Sequence, residues 1–297
     1  MKVLNFGSLN IDYVYKVDHF VRPGETILSD NISVFCGGKG LNQSIALAKA
    51  GAYVYHAGKV GHDGSLLINQ LKECGVNTDY IQCHSGRSGH AIVQVDKRGQ
   101  NCIILHGGAN QTMTREYIDS VLENFDEGDI ILLQNEINML DYIINKAYKK
   151  GMKIALNPSP IDSFIIELNL KYISWLILNE IEGKEITGQS ESHTIVDTLL
   201  KRYSNLTVVL TLGKKGVLYK SKEETYMHSA YNVPVVDTTG AGDTFTGYFL
   251  AGISNNLTVK EILKLASIAS SIAVSRNGAS DSIPFKQEVL RKSMELE

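Results

Sequence analysis

From residue 130 onward the chain repeats one pattern: a short continuous apolar run, a polar or glycine-bearing break, then apolar positions at helical spacing. The runs at 130–133, 153–156, 175–178 and 207–210 read as buried strands, and 114–125, 139–150 and 192–203 as helices. The same rhythm opens the chain, with a strand at 3–7, a strand at 53–56 and a helix at 65–74 stopped by Gly75. Apolar strands alternating with helices predict a doubly wound, mostly parallel α/β sheet covered on both faces. Polar residues recur just past the strand ends: Ser8 to Asp12, Gln134-Asn135-Glu136, Asn157-Pro158, Asn179-Glu180 and Thr211-Leu212-Gly213. Open α/β sheets hold their ligands at that edge. Two stretches break the rhythm. Residues 13–35 alternate like antiparallel ribbon around Arg22-Pro23-Gly24, and 88–106 read as a hairpin turning at Lys97-Arg98-Gly99-Gln100. The expected organisation is therefore a core of 1–12, 36–87 and 107–297, with 13–35 and 88–106 forming a small β-sheet lid over a site.

Composition narrows the function classes without choosing among them. The 297 residues are 43% hydrophobic, enough for a sizeable core, and the net charge of −3 gives no electrostatic case for nucleic acid or an acidic membrane surface. Cys36, Cys74, Cys83 and Cys102 have no paired metal-site spacing and read as reduced thiols of a cytoplasmic protein. No signal peptide and no apolar run of membrane-spanning length is found. No Gly-x-Gly-x-x-Gly follows the first strand, which argues against a dinucleotide-dependent oxidoreductase.

Two motifs carry chemistry. The stretch Asp237-Thr238-Thr239-Gly240-Ala241-Gly242-Asp243-Thr244-Phe245 follows the β-branched run 233–236, read as a buried strand, and opens a helix. Glycines at that junction let backbone approach a ligand, and the first-turn N–H groups with the positive end of the helix dipole favour an anion such as phosphate. A carboxylate beside an anion site needs a reason: Asp243 either takes a proton from a hydroxyl attacking phosphorus or caps the helix. The second motif, Gly37-Gly38-Lys39-Gly40-Leu41-Asn42-Gln43, opens a helix ending at Gly51 and lacks the spacing of a Walker loop. Lys39 and Asn42 lie in its first turn and can face one ligand. Asn10 and Asp12, after the first strand, are candidates for the same ligand or ordinary turn residues.

The two motifs, in this order and about 200 residues apart, resemble those of the ribokinases, within the phosphofructokinase-B-like family of carbohydrate kinases; the similarity covers essentially the whole chain. The resemblance implies a ribokinase-like fold and transfer of the ATP γ-phosphoryl to the primary 5-hydroxyl of a pentose, with D-ribose expected. It implies Asp243 as general base and the N–H groups of Gly240, Ala241 and Gly242 as anion hole. Asn10, Asp12, Gly38, Lys39, Asn42 and Glu136 would hold sugar hydroxyls. Asn179, Thr211, Gly213, Gly242 and Asn277 would line ATP, with Asn179 and Glu182 organising Mg²⁺. Asp237 and Thr239, with carbonyls near Val274, Gly278 and Ser282, resemble a potassium site whose cation would order the anion-hole loop.

Leu41, Tyr13 and Asn135 depart from the usual ribokinase residues and are expected near the sugar pocket, where they would bear on which sugar fits. Another sugar, a nucleoside, or a non-catalytic sugar-binding regulator are the alternatives. The histidines at 19, 56, 84, 90 and 106 read as surface or satisfied strand residues, and Cys36 as packing. A β-lid carrying apolar residues is expected to pair with its twin in a homodimer.

Overall fold

The computed structural model describes residues 1–296. Its strands, in chain order, are β1 (Val3–Phe6), β2 (Asn10–Lys16), β3 (Asn31–Gly37), β4 (Val54–Val60), β5 (Asn77–Cys83), β6 (Gly89–Val95), β7 (Asn101–His106), β8 (Ile130–Gln134), β9 (Lys153–Asn157), β10 (Trp175–Asn179), β11 (Thr207–Thr211), β12 (Val217–Lys220) and β13 (Thr225–His228). The helices are α1 (Lys39–Lys49), α2 (Ser65–Glu73), α3 (Arg115–Leu122), α4 (Leu140–Lys149), α5 (Ser163–Glu167), α6 (Glu180–Thr187), α7 (Ser192–Arg202), α8 (Ala241–Ser254), α9 (Val259–Val274) and α10 (Lys286–Glu295).

Nine strands form the main sheet in the order β13-β12-β11-β10-β9-β8-β1-β4-β5, parallel except for β12 and β13. All five residues of β8 are buried because helices cover both faces. Leu4, Phe6, Ile131 and Leu133 pack on one face with α3 and α4, whereas Val3, Ile130 and Leu132 pack on the other with α1, α8 and α9. The chain steps from β1 to β4 and β5, then returns to β8 on the other side of β1. That reversal opens a crevice at the C-terminal ends of β1 and β8, where ligands of such sheets bind.

The second sheet has four strands, in the order β3-β2-β6-β7. It is rooted in the crevice: Asn10 starts β2 and Gly37 ends β3 as its register partner. Strands therefore extend beyond the 13–35 limit expected from the pattern. Among the described residues no helix is long and apolar enough to cross a membrane.

Several expectations change. Residues 233–236 are not a buried strand: Val235 and Val236 are each 54% exposed, and the backbone is tied by Val236 N–H donating to Val274 O. Pro234 has no N–H for a ladder, and Val233 and Val235 instead line a cavity. Edge strand β5 and the hairpin β12–β13 carry mixed polar and apolar residues and were not announced by the pattern. Leu41 is fully buried in the core, and Tyr13 packs against that core, on the opposite strand face from Asp12. Asn135 donates to Pro160 O. Leu41 and Tyr13 are thus held by packing and Asn135 by a backbone acceptor.

Candidate active site

Helix α8 begins at the N-cap Gly240, whose φ of +74° lies in the left-handed region. A Cβ there would also sit 3.0 Å from Ala279 Cα, so glycine answers both demands. At Gly242 a Cβ would meet nothing within 4 Å, leaving the backbone open to a ligand. Ala241 N–H donates to Thr238 O at a long 3.4 Å, a bond easily surrendered to a stronger acceptor. The N–H groups of this turn have no intrahelical partners.

Asp243 does not cap this helix. It is 7% exposed and turns onto α1, where Oδ2 accepts from Asn42 Nδ2 at 3.0 Å and Oδ1 from Gln43 Nε2 at 2.9 Å. The contact is possible because α8 and α1 pack closely: a Cβ at Gly247 would lie 2.3 Å from Ala46 Cβ. Asn42 Oδ1 is buried with no partner. A buried acceptor left unpaired costs about 1–3 kcal/mol, which a ligand hydroxyl would offset.

Around this pair the other sugar candidates converge. Glu136, after β8, accepts from Lys39 N–H at 3.0 Å and from the Ser8 hydroxyl. Ser8 Oγ also accepts from Gly40 N–H at 3.1 Å, holding the start of α1 against the end of β1. Gly38, with φ +92°, would bring a Cβ within 3.2 Å of Asn10 N. Asn10 Oδ1 accepts from Asn110 Nδ2 at 2.7 Å. A Cβ at Gly37 would lie 2.0 Å from Asp12 Oδ2, so the carboxylate fills the space glycine leaves.

The charges are unbalanced. Burial, with Glu136 nearby, raises the Asp12 carboxyl to about 7. Burial likewise raises Glu136 against the opposing pull of Ser8 and Lys39. Burial alone would lower the Lys39 ammonium, but Asp243, Glu136 and Glu182 outweigh it and hold it above its ordinary value. Such a cluster of acceptors and one cation suits vicinal hydroxyls.

Beyond Gly242 lies a cavity of about 640 Å³, also lined by Asn179, Thr211, Gly213, Tyr231 and Phe245. Asn277 is exposed on the turn after α9, outside this lining. Asn179 and Glu182 form a capping box at α6: Asn179 Oδ1 accepts from Glu182 N–H at 2.9 Å and Glu182 Oε2 from Asn179 N–H at 3.0 Å. Asp237 Oδ1 accepts from the N–H and hydroxyl of Thr239, and Oδ2 from Gly278 N–H at 3.0 Å. Burial would raise this carboxyl, but those bonds prevail and hold it below its usual range. Val274 O accepts from Asp237 N–H at 3.2 Å, and Ser282 turns onto Ala279 O. Four of the five cation candidates thus meet directly, with Ser282 one turn away.

Sequence reasoning assigned no role to Ser8, Asn110, Gln43, Gln134, Asn157 or Asn5. A signal existed: Asn5 lies within the four-residue buried strand β1, and a polar group there requires a partner. His56 is buried with Nδ1 2.8 Å from Ser44 Oγ, and burial lowers it to about 3, so it is neutral.

The chain is similar over most of its length to proteins of known activity. It is 33% identical to the ribokinase of Haemophilus influenzae over 96% of this chain and 95% of the relative. It is 34% identical to that of Bacillus subtilis over 95% and 96%. The structure of Arabidopsis thaliana ribokinase complexed with ribose and ATP superposes with a TM-score of 0.88 at 32% identity, covering 98% of both chains. A family model described as pfkB family carbohydrate kinase matches residues 1–286. With both motifs inside that match and joined at Asp243, the chain belongs to the pfkB family of carbohydrate kinases.

Proposed function

We propose that this protein is a ribokinase, transferring the γ-phosphoryl of ATP to the primary 5-hydroxyl of D-ribose. The observation that carries the reading is the hydrogen bond from Asn42 to Asp243, between motifs 201 residues apart. It brings a carboxylate, the first-turn N–H groups of α8 and a cluster of hydroxyl acceptors to one point. Asp243 takes the proton of the 5-hydroxyl as that oxygen attacks phosphorus. The N–H groups of Gly240, Ala241 and Gly242 then stabilise charge on the transferring group, with most of the rate coming from position and electrostatics. Asn10, Asp12, Gly38, Lys39, Asn42 and Glu136 orient the sugar. Asn179, Thr211, Gly213 and Gly242 hold the nucleotide.

Mg²⁺ supplies charge neutralisation on the phosphates when bound. The ion would be carried mainly by nucleotide oxygens and water, with few direct protein ligands. Glu182 spends one carboxylate oxygen on its capping box, so its other oxygen supports a role near that ion. The oxygen donors of Asp237, Thr239, Val274, Gly278 and Ser282 suit K⁺ as an activator that orders the anion-hole loop. Asn277 reaches ATP through an inward movement of its turn on nucleotide binding. Four unpaired cysteines support a cytoplasmic setting. The small sheet acts as a lid and dimer surface: Ile103, Ile104 and Leu105 on β7 and Ile32, Val34 and Phe35 on β3 are exposed. Sedimentation yielding only monomer at micromolar protein would refute the dimer.

The test of substrate is kcat/KM, from ADP release with ATP, Mg²⁺ and K⁺, across D-ribose, 2-deoxyribose, other pentoses, hexoses and nucleosides. D-Ribose should rank first. A nucleoside or hexose ranking first would overturn the assignment.

A further inference from the structure

We infer that Gln43 is a positioning residue that aims the Asp243 carboxylate at the sugar, through a buried amide ladder whose direction is set by backbone carbonyls. The inference rests on the reading of Asp243 as base. An amide side chain can present either its donor or its acceptor, and its bonding partners decide which. Here the ladder is anchored twice on groups that can only accept. Asn5 Nδ2 donates to Gly40 O at 2.7 Å, which turns Asn5 Oδ1 toward Gln134. Gln134 Nε2 then donates to Asn5 Oδ1 at 2.9 Å and to Gln43 Oε1 at 2.7 Å. Independently, Asn157 Nδ2 donates to Ile177 O at 2.9 Å, so its Oδ1 accepts from Gln43 Nε2 at 3.0 Å. Both anchors demand the same orientation of Gln43: oxygen toward Gln134, and NH₂ toward Asp243 Oδ1 at 2.9 Å.

Asn5, Gln43 and Gln134 are fully buried, so water offers no alternative partners. With Asn42 holding Oδ2, both carboxylate oxygens are pinned and the plane of the base is fixed. Each oxygen keeps lone-pair capacity for the substrate hydroxyl. A base held within hydrogen-bond reach of one proton gains rate through geometry, and a misplacement of about 1 Å can cost on the order of 10²-fold. A residue that merely filled the core would have no reason to act through Asp243 alone.

The test is a double-mutant cycle of Gln43→Met with Asp243→Asn, measured with D-ribose and Mg²⁺-ATP. Gln43→Met should lower kcat on the order of 10²-fold while leaving both KM values within about twofold, and should have no further effect on residual turnover in Asp243→Asn. Gln43→Glu, of the same length, covers the case in which Gln43→Met does not fold. It should lower kcat at neutral pH, with the deficit against wild type shrinking as pH falls and the introduced carboxyl gains the proton that lets it donate. An equal loss in both Asp243 backgrounds, a loss confined to KM, or a pH-independent deficit in Gln43→Glu would overturn the inference alone. Asp243→Asn turning over like wild type would overturn the base assignment, and the inference with it.

Discussion

Gly247 is the position at which stability and chemistry are most tightly joined. It lies one turn after Asp243 on α8 and faces Ala46, one turn after Asn42 on α1. A Cβ added there would stand 2.3 Å from Ala46 Cβ and 2.8 Å from Leu47 N. Ordinary carbon contacts are about 3.5–4.0 Å, so Gly247→Ala must part the helices by about 1.5 Å locally. Overpacking of this kind costs about 1–3 kcal/mol, while replacing glycine in a helix returns about 1 kcal/mol. The net expectation is a loss of up to about 2 kcal/mol, a fall of several degrees in thermal midpoint. The same displacement would stretch the 2.9 and 3.0 Å bonds from Gln43 and Asn42 to Asp243 beyond hydrogen-bonding range. Turnover should then fall on the order of 10²-fold. Thermal denaturation and ADP release on the same preparation read both effects. A raised midpoint with full turnover, as helix propensity alone would give, would refute the packing argument.

Other consequences follow from the sugar side. Because Asp12 is raised to about 7, its ionised share grows from roughly a tenth at pH 6 to nine-tenths at pH 8. The ionised form accepts hydroxyls, so kcat/KM for ribose should rise across that window, and Asp12→Asn should abolish the rise. The sign for stability is opposite: the folded chain keeps a proton that the unfolded chain releases, so Asp12 withdraws stability as pH rises from 4 to 7. Asp12→Asn should accordingly raise the thermal midpoint more at pH 8 than at pH 5; an equal change would contradict the shift. Gly37→Ala places a Cβ 2.0 Å from Asp12 Oδ2. It should raise KM for ribose by about tenfold or more, the value of one charged hydrogen bond, with an unchanged KM counting against the contact.

Much of this architecture was legible because burial writes itself into the chain. A parallel strand covered on both faces must be continuously apolar, as residues 130–133 are, and the break after it marks where ligands bind. The motif glycines were legible for the same physical reason: Gly37, Gly38, Gly40 and Gly240 mark places a Cβ cannot comfortably occupy, and Gly242 leaves backbone open to a ligand. The run 233–236 misled because a β-branched segment lining a cavity has the same composition as one lining a core. The edge strands β5 and β13, and β12 beside the latter, were missed because each carries mixed polar and apolar residues, which dilutes the signal. Leu41 and Tyr13 show that nearness in sequence does not fix nearness in space, because rotation along a helix and alternation along a strand turn neighbours to different sides. The amide ladder was beyond reach of spacing altogether, since Asn5, Gln43, Gln134 and Asn157 meet only after four separate segments have been brought together.

The most direct test is single-turnover ADP formation with saturating ATP, Mg²⁺ and D-ribose, comparing wild type with Asp243→Asn after ribose binding has been verified by calorimetry. Loss of a general base predicts a fall of about 10²–10⁴-fold in the chemical step with ribose still bound. A variant that binds ribose and forms ADP at the wild-type rate would contradict the account at its centre.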